Sequence, residues 1–166
     1  YSIRMYNLLF DSDALIKLTH SEALIKVCVS FRCIITDDVK REVVDEGKKR
    51  FYPDAEIIEK MIEDNLLKIK NPKKKVEIKK NLGSGELSIL SLNKEIKNHL
   101  IISDDKEFIK ELEKEDIDFL IPGDLIILLK KMRKINQKEA KNYIEKMKVF
   151  IREEDYKKFK KELEGK

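Results

Sequence analysis

The stretch YNLLFDSDALIKL, residues 6–18, decides the fold of this 166-residue chain. Its apolar run at residues 8–10 is too short for a helix and is typical of a buried strand. The run stops at Asp11, and apolar residues at helical spacing follow it without a loop. In an open parallel α/β sheet, ligands bind just outside the carboxyl ends of the strands. The stretch therefore predicts a strand with an acid at the edge of the sheet where chemistry takes place.

The composition is that of a highly charged chain, with 42% apolar and 41% charged residues. Its length predicts one domain over residues 1–166, with a core at about 6–122 and a helical C-terminal extension at about 123–166. The net charge of +4 permits a polyanionic partner without requiring one. Two cysteines and two histidines argue against a disulfide framework and a zinc site. Without a visible signal peptide or a spanning apolar run, we expect a cytoplasmic protein with no membrane partner.

Short apolar runs alternate with helical segments along the chain. The runs lie at residues 8–10, 33–35, 66–69, 100–102 and 119–121. Helices are expected at residues 12–18, 21–29, 37–46, 53–64, 83–92, 106–115, 124–131, 136–150 and 153–163. Ser21 is expected to cap the second helix, and Gly47 to end the third. The alternation predicts an α/β fold, a three-layer sandwich around a parallel sheet.

Several acids fall where this fold brings side chains to one edge of the sheet. Asp11 follows the first predicted strand, and Asp104 and Asp105 follow the fourth. Glu42 and Glu86 lie beside apolar residues of their helices and are expected to point toward the core or its rim. Burying several carboxylates together is costly unless a cation compensates or some of them bind protons. Oxygen ligands without cysteine or histidine suit Mg²⁺ or Mn²⁺, which can activate water to attack a phosphodiester.

Each of these acids also has an ordinary structural explanation. Asp11 and Asp104 can cap the helices that follow them. Asp105 and Glu86 can interact with the positive ends of helix dipoles. Glu42 can be a solvated helix acid. The coincidence of four acids at the edge or facing inward raises the metal-site hypothesis to equal standing with these explanations.

The order and spacing of these motifs resemble the PIN-domain family, a metal-dependent ribonuclease fold that occurs in the toxins of toxin–antitoxin pairs. The motifs are FDSDALI at 10–16, ITDDVKREV at 35–43, LGSGE at 82–86 and IISDD at 101–105. The resemblance covers roughly residues 6–150 and is closest to the branch with a Gly-x-Gly-Glu helix start. It implies a five-stranded parallel sheet in the order 3-2-1-4-5, bound Mg²⁺ or Mn²⁺, and an RNA substrate.

The resemblance also implies roles for particular residues. It assigns catalysis to Asp11, Glu42, Glu86 and Asp104. It assigns metal binding to Asp11, Glu86 and Asp104, with Asp105 as the alternative ligand after the fourth strand. An antitoxin protein and a homodimer are the partners that it implies.

Two features depart from the family pattern. Asp13 stands where the family usually has Ser or Asn, which adds a charge, and Asp13 and Ser103 are therefore considered supporting residues. Asp11 is present although the Gly-x-Gly-Glu branch often lacks its first Asp. Its retention favours activity.

Two alternative functions remain open. Asp11 and Asp13 have the Asp-x-Asp spacing of haloacid-dehalogenase-like phosphatases, but Leu15 replaces the usual Thr or Val. Glu42 and Glu86 have no role in that mechanism. The second alternative is a non-catalytic PIN-like module that holds RNA or a protein, and loss of metal binding would support it.

A lysine-rich segment is the weakest candidate for RNA binding. Its lysines are Lys73, Lys74, Lys75, Lys79 and Lys80. Lysines of this kind contribute non-specific, salt-sensitive affinity for a phosphate backbone. A solvated loop explains them equally well, and no row of aromatic residues accompanies them that would argue for base stacking.

Overall fold

A five-stranded parallel sheet forms the centre of the molecule. The computed structural model describes residues 7–49, 52–79 and 81–165. The strands are β1 (Asn7–Phe10), β2 (Arg32–Ile35), β3 (Leu67–Ile69), β4 (His99–Ile102) and β5 (Phe119–Leu120). Their order is β3-β2-β1-β4-β5, and each neighbouring pair is parallel. The predicted α/β fold and strand order are confirmed.

Helices cover both faces of the sheet and extend the chain beyond β5. They are α1 (Ser12–His20), α2 (Leu24–Ser30), α3 (Asp37–Lys40), α4 (Glu46–Lys49), α5 (Pro53–Glu63), α6 (Ser84–Asn93), α7 (Lys106–Lys114), α8 (Pro122–Lys131), α9 (Gln137–Met147) and α10 (Glu153–Glu164). A π-helical segment, Arg41–Asp45, joins α3 to α4, and a 3₁₀ segment, Lys148–Phe150, follows α9. Within the described ranges, none of these helices has the length and apolar character needed to cross a membrane.

The central strand β1 is buried on both faces. Leu8, Leu9 and Phe10 are at most 1% exposed. Leu8 lies opposite Cys33 of β2 and Leu100 of β4. Strands covered by helices on both sides show continuous rather than alternating apolar residues. This explains why a short apolar run was sufficient to predict the strand.

Two predicted helix boundaries are wrong, for reasons of local packing. Ser21 follows α1, where its hydroxyl donates to the Leu18 carbonyl at 2.9 Å, and it does not cap α2. Gly47 does not end its helix, which continues to Lys49. A Cβ at Gly47 would lie 2.9 Å from the Ala55 Cβ, so the glycine allows α4 to approach α5 closely.

The C-terminal helices pack together and onto the helices of the sheet. α8, α9 and α10 contact one another, and α9 also contacts α1. Phe159 of α10 is fully buried and lies against Gly123, where a Cβ would be 2.2 Å from its ring. Because these helices share the buried core of the sheet, we propose that the chain forms a single domain.

Candidate functional site

Asp11 is a buried carboxyl at the carboxyl end of β1. Its Oδ1 accepts the Ala14 amide at 2.8 Å and thereby caps α1, and its Oδ2 accepts the Ser103 hydroxyl. Burial raises the pKa of Asp11 to about 8, although these two hydrogen bonds lower it. The charges of Asp13 and Glu86 raise the pKa further. Asp11 therefore caps a helix and also resists ionisation in this environment.

Asp104 lies just after β4, the strand that neighbours β1, at the same edge of the sheet as Asp11. Its side chain is 3% exposed, and its Oδ2 accepts the Lys17 ammonium at 2.6 Å. The Oδ1 atom is buried and has no hydrogen-bond partner within the described part of the chain. A buried acceptor without a partner is costly. Asp104 thus has one oxygen that is bound to an ammonium and one that is available to a ligand.

Asp105 has a different role in the structure. It precedes α7, and its Oδ1 accepts the Phe108 amide at 2.8 Å. Its own amide donates to the Ser103 hydroxyl at 3.1 Å. Of the two acids after β4, Asp105 therefore provides the helix cap, which leaves Asp104 for other chemistry.

Lys17 is the cation at the centre of this edge of the sheet. Its ammonium lies between Asp104 and Asp13, at 2.6 and 3.0 Å, and the side chain is 13% exposed. Burial lowers the pKa of Lys17, but the hydrogen bonds to the two carboxylates outweigh burial and the net shift is upward. Asp13 and Asp104 therefore share one ammonium.

Glu42 reaches the site across a glycine. It lies in the π-helical segment, and its carboxylate packs on Gly85 of α6. A Cβ at Gly85 would stand 2.0 Å from Glu42 Oε1, so any other residue here would displace the Glu42 carboxylate. Burial raises the pKa of Glu42, and the negative charge of Glu86 adds to the shift.

Glu86 interacts electrostatically with both Asp11 and Glu42. Its Oε1 accepts the Gly83 amide at 2.9 Å at the start of α6. Its charge raises the pKa of both Asp11 and Glu42. Carboxylates from three helical elements and one strand end are thus close enough to repel one another.

The described side chains do not form a closed metal cage. In residues 7–49, 52–79 and 81–165, no group of three acidic, His or Cys side chains is arranged to hold an ion. Glu86 Oε1 is bound to an amide, and Asp104 Oδ2 is bound to Lys17. Binding a metal therefore requires these carboxylates to change partners.

The chemistry of the donors nevertheless fits a hard divalent cation. Asp104 Oδ1 has no hydrogen-bond partner in the described ranges, and the contacts of Asp11 are an amide and a hydroxyl, neither of which carries charge. A nearby positive charge favours the ionised form of such carboxyls. All-oxygen ligand sets suit Mg²⁺ and Mn²⁺.

An apolar groove opens beside Glu42. It has a volume of about 380 Å³, and its lining includes Ser12, Ile16, Val43 and Tyr52. Tyr52 is 52% exposed. The groove is adjacent to Glu42, and the ring of Tyr52 forms part of its wall. The sequence did not indicate this groove.

Backbone amides of the lysine-rich segment are hydrogen-bonded to the rest of the protein. The amides of Lys73 and Lys74 donate to the Glu95 carboxylate at 2.9 to 3.0 Å. These bonds lower the pKa of Glu95. Lys79 pairs with Glu111 and Glu115 at 3.3 and 3.5 Å.

The structure describes only one of the other two lysines of this segment. Lys75 is exposed, and Lys80 lies outside the described residues.

Sequence reasoning missed two cations of the site. Lys17 stands four residues after Asp13, a helical ion-pair spacing that could have pointed to it. Arg152 lies 3.8 Å from Asp104 Oδ1, and no local pattern indicates this contact between residues so far apart in the chain.

Comparison with known proteins gives one finding. The family model described as DUF3368: PIN domain matches residues 7–164. No curated protein matches the chain.

Proposed function

Because the chain belongs to the PIN-domain family, whose fold is of a nuclease type, we propose that it is an Mg²⁺- or Mn²⁺-dependent endoribonuclease. One observation carries the proposal: two buried aspartates, Asp11 and Asp104, follow neighbouring strands at one edge of the sheet. Asp11 has a pKa raised to about 8, and Asp104 keeps a buried oxygen without a hydrogen-bond partner in the described ranges. A divalent ion would favour the ionised form of Asp11 and give that oxygen of Asp104 a partner.

The proposed ligands are Asp11 and Asp104, with Glu86 joining them directly or through water. Bound there, the ion would lower the pKa of a water molecule and offset the charge of the phosphodiester. Ser103 keeps Asp11 oriented through its hydroxyl. Glu42, held against Gly85, is placed to accept a proton from water, and its raised pKa suits a base.

The groove beside Glu42 favours the proposal that the substrate is larger than a single phosphate group. Its lining includes the exposed ring of Tyr52 and the apolar side chains of Ile16 and Val43. Single-stranded RNA bases bind to such surfaces by stacking. We therefore propose single-stranded RNA as the substrate class.

A non-catalytic PIN-like module is the second candidate, and one observation favours it. Lys17 already neutralises one oxygen of Asp104, and Arg152 lies near the other. A scaffold that never binds metal would need such internal cations. The phosphatase alternative is weaker, because Asp13 is paired with Lys17 and is therefore poorly placed as an acid–base group.

A direct assay separates these functions. Mixed-sequence single-stranded RNA is incubated with Mn²⁺, with Mg²⁺ or with EDTA, and a phosphomonoester is tested in parallel with wild type and Asp104→Asn. Metal-dependent RNA cuts that the variant loses would support the nuclease. Phosphate release without RNA cleavage would indicate a phosphatase. Neither activity, together with no metal-induced rise in melting temperature, would leave the binding module.

The biological setting follows from the family resemblance and, for the cellular location, from the sequence alone. The role of toxin, an antitoxin partner, a homodimer and a cytoplasmic location stay predictions. Binding of RNA by Lys73, Lys74 and Lys75 also stays a prediction. Co-purification with the product of a neighbouring small gene would test the antitoxin prediction.

A further inference from the structure

Arg152 lies at the edge of the candidate site, although it belongs to the C-terminal part of the chain. It immediately precedes α10, and its Nη1 is 3.8 Å from Asp104 Oδ1 and 3.0 Å from Asp155 Oδ2. Its side chain is 42% exposed, whereas that of Asp104 is 3% exposed. Arg152 therefore places a positive charge between a buried acid and solvent.

One bond fixes this charge in place, and a second contact holds the preceding segment against α1. The ring of Phe150, two residues before Arg152, meets the ring of His20 edge to face, with centroids 4.3 Å apart. Asp155, in the first turn of α10, bonds the guanidinium from the same helix. A side chain that is held before its ligand arrives loses less entropy on binding. Arg152 is thus oriented in advance.

The contact with Asp104 alone is a poor explanation for this arrangement. A separation of 3.8 Å is too long for a hydrogen bond, so this contact is only a weak ion pair. Asp104 has the closer ammonium of Lys17 at 2.6 Å, which it shares with Asp13. The guanidinium is therefore the second and more distant counter-ion of this carboxylate.

The same features suit a phosphate group. Both contacts of Arg152 use Nη1, and much of the side chain faces solvent. A guanidinium binds phosphate through two parallel hydrogen bonds, which a lysine cannot reproduce. A phosphate that approaches several carboxylates also needs a positive charge near it. Lys17 is largely enclosed between two acids, so Arg152 is better placed to meet a ligand.

We propose that Arg152 binds a phosphate of the RNA strand next to Asp104, so that the C-terminal helices supply part of the substrate site. The inference rests on the proposed ribonuclease function. The guanidinium offsets the repulsion between the phosphodiester and the acids, and it holds the strand against Asp11 and Asp104. Arg152 is a substrate-binding residue, and the acids alone hold the metal.

The test compares Arg152→Gln with a matched control on the same helix. Lys157→Gln removes a cation that is 72% exposed and paired with Glu153. Binding of a short fluorescein-labelled single-stranded RNA is measured by anisotropy at several salt concentrations, with Ca²⁺ present and RNA integrity checked on gels. Cleavage with Mn²⁺ and the Mn²⁺-induced shift in melting temperature are measured on the same proteins.

Loss of one charge-assisted phosphate contact should weaken RNA binding about tenfold and reduce the salt slope by about one. KM should rise by a similar factor, with a smaller change in kcat. Arg152→Lys should restore the salt slope but only part of the affinity. Lys157→Gln should bind within about twofold of wild type. Mn²⁺ should stabilise Lys157→Gln as it does wild type, and it should stabilise Arg152→Gln at least as much, because a cation near Asp104 has been removed.

Three results would overturn the inference. If wild type cleaves RNA and Arg152→Gln binds and cleaves it equally well, Arg152 has no role in the substrate site and the nuclease function stands. If Lys157→Gln weakens binding as much as Arg152→Gln, the effect is general charge. If wild type neither binds nor cleaves RNA, the proposed function fails and this inference fails with it.

Discussion

At the two strand ends of the candidate site, the charge of a buried aspartate is compensated in opposite ways. Both β1 and β4 end in a buried aspartate. Asp11 is surrounded by neutral donors and other acids, so burial raises its pKa and a proton is its compensation. Asp104 has Lys17 at 2.6 Å, so an internal cation compensates it. A metal ion would replace a proton on one side and compete with a lysine on the other.

Neutralising either aspartate should abolish cleavage while affecting stability differently. Both Asp11→Asn and Asp104→Asn should lower the rate on the order of 10³-fold or more, because each removes negative charge from the proposed metal. Asp11→Asn keeps a helix cap and should not lower apo stability. Asp104→Asn removes the closer of the two partners of Lys17 and should cost roughly 2 kcal/mol. Cleavage assays and thermal melts in EDTA measure both effects.

Equal melting temperatures for these two variants would contradict the claim that Asp11 and Asp104 are compensated differently. A large loss of stability in both would show that the aspartates serve mainly as structural caps and ion pairs.

Gly85 tests whether the position of Glu42 matters. Gly85→Ala would place a Cβ 2.0 Å from Glu42 Oε1 and displace that carboxylate. A displacement of about 1 Å in a catalytic group can lower activity about 100-fold. The control is Gly83→Ala, whose Cβ would be 3.4 Å from Glu86 Oε1, an ordinary contact. Equal rates for the two alanine variants would exclude a catalytic role for the Glu42 position.

Lys17→Met separates the structural role of the lysine from its competition with metal. Asp104 would lose its nearest counter-ion, and breaking a buried ion pair costs roughly 3 kcal/mol. Mn²⁺ should then raise the melting temperature more than it does in wild type, because no ammonium opposes it. Lys60→Met, which breaks an exposed pair with Asp64, should change stability by less than about 1 kcal/mol.

A smaller metal shift in Lys17→Met than in wild type would mean that Lys17 helps to hold the acids for metal. Competition between the two cations would then be excluded.

The pH dependence of apo stability provides the finest test. The pKa of Asp11 is about 8 in the folded state and has its ordinary value of 3.8 when unfolded. The folded state therefore binds the extra proton between these values, and stability falls as pH rises through this window. The limit for one group is about 1.4 kcal/mol per pH unit.

Asp11→Asn removes this dependence. Its melting temperature in EDTA should exceed that of wild type by more at about pH 8 than at about pH 5. A difference that does not change with pH would show that Asp11 ionises normally. Glu42 shifts in the same direction, and it is retained in both proteins.

The sequence was sufficient to predict the sheet, because each buried parallel strand is a continuous apolar run that polar or turn residues bound at both ends. It also located Asp11 and Asp104, since strand ends are visible in the sequence. It could not show that Glu42 approaches Gly85, because the π-helical segment Arg41–Asp45 alters the helical repeat that a pattern assumes.

Contacts between distant residues also escaped the sequence. The spacing of Asp13 and Lys17 indicates an ion pair, but not the second partner of Lys17 at Asp104, 87 residues away. Arg152 is placed by the packing of the C-terminal helices, which no local pattern encodes. The capping role of Asp105 rather than Asp104 depends on where α7 begins, and such boundaries are set by backbone geometry.

The strand order has a consequence for synthesis of the chain. The central strand β1 is made first, but one of its two neighbours is β4, and Arg152 follows β4 by 50 residues, from Ile102 to Arg152. A chain growing on the ribosome therefore contains Asp11 and Lys17 long before it contains Asp104 and Arg152. If the protein cuts RNA, its nascent form lacks the complete site while it is still bound to the ribosome.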